Sequence, residues 1–453
     1  MTPGREAASA VPESSHGALA ELVVAFLAHQ GGRAGEEEVG PYEVAPGQVT
    51  IRSAEVVRAG RPGLISVIAE VPGRVVHAVF GLRSPGDDVQ FLADADDAPL
   101  GIFEDEHGLA VVFDALADAE LALALLDAVA GDQGPLERVR RLSMAPDSVS
   151  LTFDDRLMFT IFQQLPGFEV PHPGLELLLG LDTVGFNHVL APRALWRRGR
   201  TDLGIVQEYQ AGSTGGWALA LTSLRDLYAA GGPPEHAGGD FATEAGQLGT
   251  MTARMHIGLG QAFGRKEGEI ALWAAAVEEA VRSVNPDLLD DPTVSMALAD
   301  LRASTGRAIA IRTHGDFHLG RVARMDLGWF VLDFSPGGTP LFSSGVVPGD
   351  GAVFRSPLAD VADMLWSFHH VAGLAAIERD PTNSLGLSEL AQAWETRNRR
   401  AFLAGYLDAL GIDDLMPSNR EVVRQLAAVF ELERSASAPT VVPAPTDAAM
   451  PGS

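Results

Sequence analysis

The run Arg312-Thr313-His314-Gly315-Asp316-Phe317-His318-Leu319-Gly320-Arg321-Val322, followed by Val331-Leu332-Asp333-Phe334, constrains this chain more than any other segment. Asp316 and Asp333 each follow an apolar strand, and 17 positions separate them. Pairing of those strands across a hairpin would bring both carboxylates to one end. One acid can then orient an acceptor hydroxyl while the other holds a divalent cation on transferring phosphates. Either half alone could be a polar turn after a strand. His-Gly-Asp-x-His followed by apolar-apolar-Asp-Phe is far more specific, and it points to phosphoryl transfer.

The chain has 453 residues, enough for two or three domains at roughly 100–200 residues each. Its 33 Lys+Arg against 60 Asp+Glu give a formal charge of −27, which repels nucleic acid and anionic lipid. Neither is expected as a partner. The absence of cysteine excludes disulfides, thiolate metal sites and cysteine nucleophiles. Lys266 is the only lysine, so a mechanism needing a phosphate-holding lysine must use it or do without. It lies in Gly264-Arg265-Lys266-Glu267-Gly268, which reads as a polar surface break between helices. Residues 1–17 lack the continuous apolar run of a signal peptide, and the apolar stretch Leu116–Ala130 is short for a bilayer span. A soluble cytoplasmic protein is expected.

Along the chain, 18–32 reads as a helix. Short strands follow at Val49–Val57, Leu64–Val71 and Arg74–Phe80, punctuated by Gly and Pro. A helix over 115–130 closes a small mixed cap. Ser148–Phe153 and Leu157–Phe162 form a hairpin around Asp154-Asp155, 175–181 is helical, and Gly204–Tyr209 is a buried strand. Helices are expected at 215–230, 240–262 and 268–284, then strand-loop-strand over 308–333, then helices at 357–376, 385–409 and 418–433. Gly212–Gly216 reads as a flexible turn between lobes, and the Pro/Ala/Ser/Thr-rich tail from Ser435 cannot bury enough apolar area to order itself.

Three stretches carry a resemblance: GIVQEYQAGSTGGWAL at 204–219, THGDFHLGRV at 313–322 and PLADVADMLWSFHH at 357–370. In these the chain resembles the aminoglycoside-phosphotransferase-like kinases, and more closely the actinobacterial maltokinase-like sugar kinases, over about residues 40–430. The resemblance implies an α+β, bilobal, protein-kinase-like fold. Its parts would be an N-terminal cap (1–130), a small mixed nucleotide-binding lobe (131–209), a large mainly helical acceptor-binding lobe (210–434) and a disordered tail (435–453). It implies ATP and Mg²⁺ as cofactors, Asp316 as catalytic base, Asp333 as metal ligand, and Gln207, Glu208 and Tyr209 at the adenine-binding hinge. Glu176 falls where a small-lobe glutamate orients the phosphate-binding lysine.

The chain departs from that pattern twice. Thr160 stands where the lysine is expected, and a hydroxyl supplies no positive charge. Arg321 replaces the amide that helps hold metal, and a guanidinium has no lone pair to offer. Arg321 could instead supply phosphate-binding charge directly. Alternatively, the site could have kept the fold and lost the chemistry, leaving a noncatalytic sugar- or nucleotide-binding protein.

For the acceptor, the helix bearing Asp363, Trp366 and His370 sets an acid, an aromatic ring and a histidine at three- and four-residue spacing on one face. Such a face suits a polar ring. Asp333-Phe334-Ser335-Pro336-Gly337-Gly338 replaces the acidic sequence common in maltokinases, a Gly/Ser/Pro-rich loop follows at 345–351, and Asp363 adds a carboxylate that could pair with an ammonium. This looks like the glucosamine-kinase branch of the group. The expectation is ATP-dependent phosphorylation of a small-molecule amino sugar, D-glucosamine, at the 6-hydroxyl, with maltose 1-phosphorylation as the alternative.

Overall fold

The computed structural model describes residues 9–33, 44–87, 99–145, 147–334, 353–379 and 387–437. The 345–351 loop and the tail beyond 437 lie outside them. The chain divides into two compact units, Met1–His172 with Ala191–Ala211, and Pro173–Leu190 with Gly212–Ser453.

The first unit holds β1 (Ser9–Ala10), α1 (His16–Arg33), β2 (Thr50–Arg58), β3 (Gly63–Val71), β4 (Arg74–Arg83), β5 (Gly101–Asp105), β6 (Gly108–Asp114) and α2 (Ala119–Ala130). Then come β7 (Val139–Ala145), β8 (Ser148–Phe153), β9 (Leu157–Phe162), β10 (Gln164–Leu165), β11 (Pro192–Arg198) and β12 (Thr201–Glu208). One sheet runs β1-β2-β3-β4-β6-β5 with β10 also on β4, and a second runs β11-β12-β9-β8-β7. β3 is apolar without alternation because both its faces are covered. Ile65, Val67 and Ala69 meet Leu19, Val23 and Phe26 of α1. Leu64 faces Leu121 and Leu125 of α2, in a cluster shared with Leu151, Phe159 and Val206 of the second sheet. Helix α2 starts where the Asp118 carboxylate accepts from the N–H groups of Glu120 and Leu121, satisfying donors that a helix start leaves orphaned.

The second unit holds α3 (Pro173–Thr183), β13 (Thr214–Gly215), α4 (Gly216–Ala230), α5 (Ala242–Phe263), β14 (Lys266–Glu269), α6 (Ile270–Val284) and α7 (Pro292–Arg302). It continues with β15 (Arg307–Ala310), β16 (Val322–Met325), β17 (Gly328–Val331), α8 (Leu358–Arg379), α9 (Ser388–Leu407) and α10 (Arg420–Ser437). The class is α+β, with two small sheets, β13-β16-β17 and β14-β15, among eight helices of the described residues.

Helices α5 and α9 meet with their backbones almost in contact. A Cβ placed on Gly249 would stand 2.0 Å from the Phe402 carbonyl oxygen, and one on Gly405 2.0 Å from that of Gly246. Only glycine permits that approach.

Three expectations change. The strands preceding Asp316 and Asp333 do not pair with each other: β15 pairs with β14, and β17 pairs with β16. The 264–268 break is in part a strand, because backbone pairing to β15 needs no apolar signal from Lys-Glu-Gly-Glu. Gly212–Gly216 likewise contributes a short strand, with Thr214 opposite Arg324. No helix among the described residues is long and apolar enough to cross a membrane.

Candidate active site

The loop between β15 and β16 carries Asp316, and the register of the next hairpin places Asp333. In that hairpin Val322 faces Val331, and the Leu332 N–H donates to the Arg321 carbonyl at 2.9 Å. Asp333 therefore emerges beside Arg321. The guanidinium of Arg321 joins the two acids, one terminal nitrogen donating to Asp333 Oδ2 and the other to Asp316 Oδ2 at 2.9 Å. Convergence of the aspartates thus runs through an arginine rather than through paired strands.

The loop is fixed from beneath by a residue that the sequence reading left without a role. Asp360, fully buried on α8, accepts from the N–H groups of His314 (2.8 Å) and Gly315 (2.9 Å) and from His256 Nε2 (3.1 Å). His256 on α5 reaches the hydroxyl of Tyr406 on α9 through Nδ1 at 2.9 Å. Burial works against the Asp360 charge, yet these donors hold its carboxyl below the usual range. Gly315 has φ +86°, a left-handed conformation that side chains with a Cβ resist. His314 Nε2 donates to the Asp333 carbonyl at 2.7 Å, and burial keeps its imidazole neutral by lowering its pKa. These contacts give it a packing and backbone hydrogen-bonding role.

Asp316 is 8% exposed. Burial would raise its pKa, but His318, Arg321 and Arg434 outweigh that and hold it far below the ordinary carboxylate range. It is therefore ionised at any working pH and suited to orienting a hydroxyl. Asp363, one turn beyond Asp360, faces the opposite balance: burial pushes it up to about 7, against the pull of Arg434. Trp366 stacks on His370, with centroids 4.7 Å apart and planes at 7°. Arg434, from the last turn of α10, lies 3.2 Å from Asp316 Oδ1 and 3.9 Å from Asp363 Oδ1, with its guanidinium 5.0 Å from the Trp366 centroid. The acid, ring and histidine expected on one helix face are thus grouped near Asp316, together with an arginine that no motif marks.

The remaining candidates are placed as follows. Gln207 is buried on β12, and Glu208 pairs with Arg193. The N–H groups of Glu208 and Tyr209 donate to the carbonyls of Ala191 and Arg156 at 3.1 and 2.8 Å, within the first unit. Thr160 bonds the Ser150 hydroxyl across the β8–β9 pair at 3.0 Å. In the second unit, Glu176 pairs with Arg312 at 2.8 Å. Lys266 lies over the Phe354 ring at 4.4 Å.

A solved glucosamine kinase, in complex with glucosamine, ADP and inorganic phosphate, superimposes with a TM-score of 0.59 over 94% of this chain and 94% of that one, at 20% identity. A second glucosamine kinase crystal form gives 0.56 over 84% and 86%, at 23% identity. This chain has the glucosamine-kinase fold. A curated glucosamine kinase from Streptacidiphilus jiangxiensis is 34% identical over 235 residues, 47% of this chain and 48% of that protein. The chain thus spans about half the length of the curated relative it matches. No protein-family model matches it. Within the glucosamine-kinase fold, the Asp360–His256–Tyr406 set and Arg434 are what motif reading missed. His256 and Tyr406 fall inside expected helices and Arg434 between an expected helix and the expected tail, with no motif to mark any of the three.

Arg321 yields a direct expectation. On the expectation from sequence that Mg-ATP binds beside Asp316 and Asp333, Arg321→Gln should weaken that binding by about tenfold or more, since it removes the guanidinium that the two carboxylates share. Calorimetric titration reads this. A gain in Mg²⁺ affinity with transfer unchanged would assign Arg321 a structural role only.

Proposed function

We propose that the protein is an ATP-dependent sugar kinase that phosphorylates D-glucosamine to glucosamine 6-phosphate. The observation that carries this reading is the buried Asp363 carboxylate beside Asp316, on the helix face that also bears Trp366 and His370. The fold shared with solved glucosamine kinases and the partial sequence match to a curated one support it.

In this reading Asp316 orients the sugar 6-hydroxyl. The hydroxyl oxygen bonds the γ-phosphorus as the bond to the β,γ-bridging oxygen breaks, ADP leaves, and the hydroxyl proton passes to Asp316 and on to solvent. Arg321 supplies positive charge next to Asp316. Gln207, Glu208 and Tyr209 contact adenine, with recognition drawn toward groups other than the two engaged N–H donors.

Asp333 suits a hard cation. Its side chain is an oxygen donor 42% exposed, and Mg²⁺ commonly takes one or two carboxylates with waters and substrate phosphates, although no group of three His, Asp or Glu gathers among the described residues. When bound, Mg²⁺ would neutralise charge on the phosphates. Asp363 receives the ammonium, and Trp366 and His370 receive the ring. Residues 1–130, 131–209 and 210–434 serve as cap, nucleotide lobe and acceptor lobe, in a cytoplasmic enzyme.

Incubation with Mg-ATP and glucosamine, N-acetylglucosamine, glucose or maltose, followed by product analysis, tests the proposal. A glucosamine-dependent 6-phosphate is expected. Folded protein that yields no sugar phosphate overturns the enzyme reading, and maltose 1-phosphate as the main product redirects it.

The acceptor assignment has a pH signature. Asp363 ionises near 7, so the glucosamine-to-glucose ratio of kcat/KM should rise as pH passes through that region, then fall as the ammonium loses its proton. Asp363→Asn should flatten the rise and lower the ratio, within the roughly 2–5 kcal/mol that losing one partner of a buried pair can cost. A ratio insensitive to the substitution moves amine recognition elsewhere.

A further inference from the structure

Arg434 has no role in the reaction as described, yet it touches three of the groups assigned to the acceptor. Its side chain is 28% exposed. One terminal nitrogen lies 3.2 Å from Asp316 Oδ1, while Arg321 bonds the other oxygen of that carboxylate. Its Nε stands 3.9 Å from Asp363 Oδ1, and its guanidinium is 5.0 Å from the centre of the Trp366 ring. Two carboxylates and an aromatic face are what an organic cation requires. The hold is incomplete: Nε is buried and makes no hydrogen bond among the described residues, because 3.9 Å is an ion-pair distance beyond hydrogen-bond reach.

We propose that Asp316, Asp363 and Trp366 form an organic-cation site whose internal occupant is Arg434, and that a cationic acceptor enters by displacing this guanidinium. The inference rests on the amino-sugar reading for the identity of the acceptor, though not for the existence of the site. Its physical basis is charge compensation. Arg321 answers one oxygen of Asp316; on the Asp363 side a buried carboxylate left unpaired is costly, and Arg434 relieves that cost while remaining exchangeable. An entering ammonium returns the charge it removes. The internal cation also acts as a competitor, so the apparent affinity for acceptor falls by the fraction of time the site is free.

The test uses the full chain with Arg434→Ala, and Arg434→Gln should the alanine variant fold poorly by circular dichroism. Methylguanidinium is the probe, with sodium chloride at matched ionic strength as control, followed by tryptophan fluorescence and thermal shift. Arg434→Ala is expected to bind methylguanidinium with a dissociation constant of about 1–10 mM. Wild type should bind at least about tenfold more weakly, and Arg434→Ala combined with Asp363→Asn should lose the site. In the kinase assay, Arg434→Gln should lower the KM for glucosamine by about tenfold.

Equal probe binding by wild type and variant, or none by a folded variant, overturns the proposal. A raised KM also overturns it, since Arg434 would then be a direct ligand of the sugar. If the variant binds methylguanidinium but glucosamine neither displaces it nor is phosphorylated, the cation site stands and the glucosamine reading falls.

Discussion

Asp316→Asn is expected to lower the rate of phosphoryl transfer by about 10²–10⁴-fold while leaving Mg-ATP affinity close to wild type. Asparagine keeps the shape of the side chain and loses the second anionic oxygen. It therefore cannot hold the acceptor hydroxyl and receive its proton while also answering Arg321 and Arg434. Asp333→Asn should behave differently. In the proposed reading it holds Mg²⁺ on the phosphates, so nucleotide binding in the presence of Mg²⁺ should weaken along with transfer. Calorimetric titration of Mg-ATP against both variants, set beside their turnover numbers, separates the two roles. Loss of Mg-ATP binding in the first variant and its retention in the second would invert them.

Asp360→Ala should be the most damaging change to the fold around the site. Three donors converge on this buried carboxylate: two loop N–H groups and an imidazole. Removing it orphans all three at once. Breaking a buried, hydrogen-bonded charged group typically costs about 3–5 kcal/mol, which for a unit of this size corresponds to a fall in Tm on the order of 10 °C. Activity should fall further than stability implies, because the loop loses the anchor that fixes Asp316. Scanning calorimetry and turnover measured well below the new Tm check both halves. An unchanged Tm would show that the loop holds its shape without Asp360. His256→Gln offers a gentler probe, since its amide can still donate to Asp360, and it should keep much more activity than His256→Leu.

Much of the strand and helix order was legible because its signals are local, although β5, β6, β7, β11 and α7 were not among the expected elements. β-branched runs at 64–71 and the Asp154-Asp155 turn announce strands, and the apolar stretch Leu116–Ala130 announces α2. The β14–β15 pair was not legible, since Lys-Glu-Gly-Glu pairs through its backbone and shows no apolar period. Asp316, Asp333 and Asp363 stood out by residue type and spacing, and all three carry contacts to an arginine of the site. What spacing could not reveal is which cations answer them. Arg434 sits in a helix whose end merges, by composition, with a Pro/Ala/Ser/Thr-rich tail. His256 and Tyr406, 150 residues apart, join only once α5 and α9 are packed. Thr160 was conspicuous as a missing lysine, and its hydroxyl is engaged by Ser150 within the sheet.

The near-contact of α5 and α9 at Gly246, Gly249 and Gly405 has a consequence for how this gene can vary. Gly405 is the immediate neighbour of Tyr406, and Gly249 lies two helical turns before His256, so the spacing between the two backbones sets whether phenol and imidazole meet. Glycine to alanine needs one nucleotide change and ranks among the mildest replacements in helices generally. At Gly249 and Gly405 an added methyl would collide with a carbonyl oxygen and push the helices apart, while Gly246 supplies the carbonyl that Gly405 approaches. A mutational library scored for turnover should therefore show a narrow band of intolerance along these two helices, at positions that touch no substrate, with alanine rejected nearly as firmly as bulkier residues.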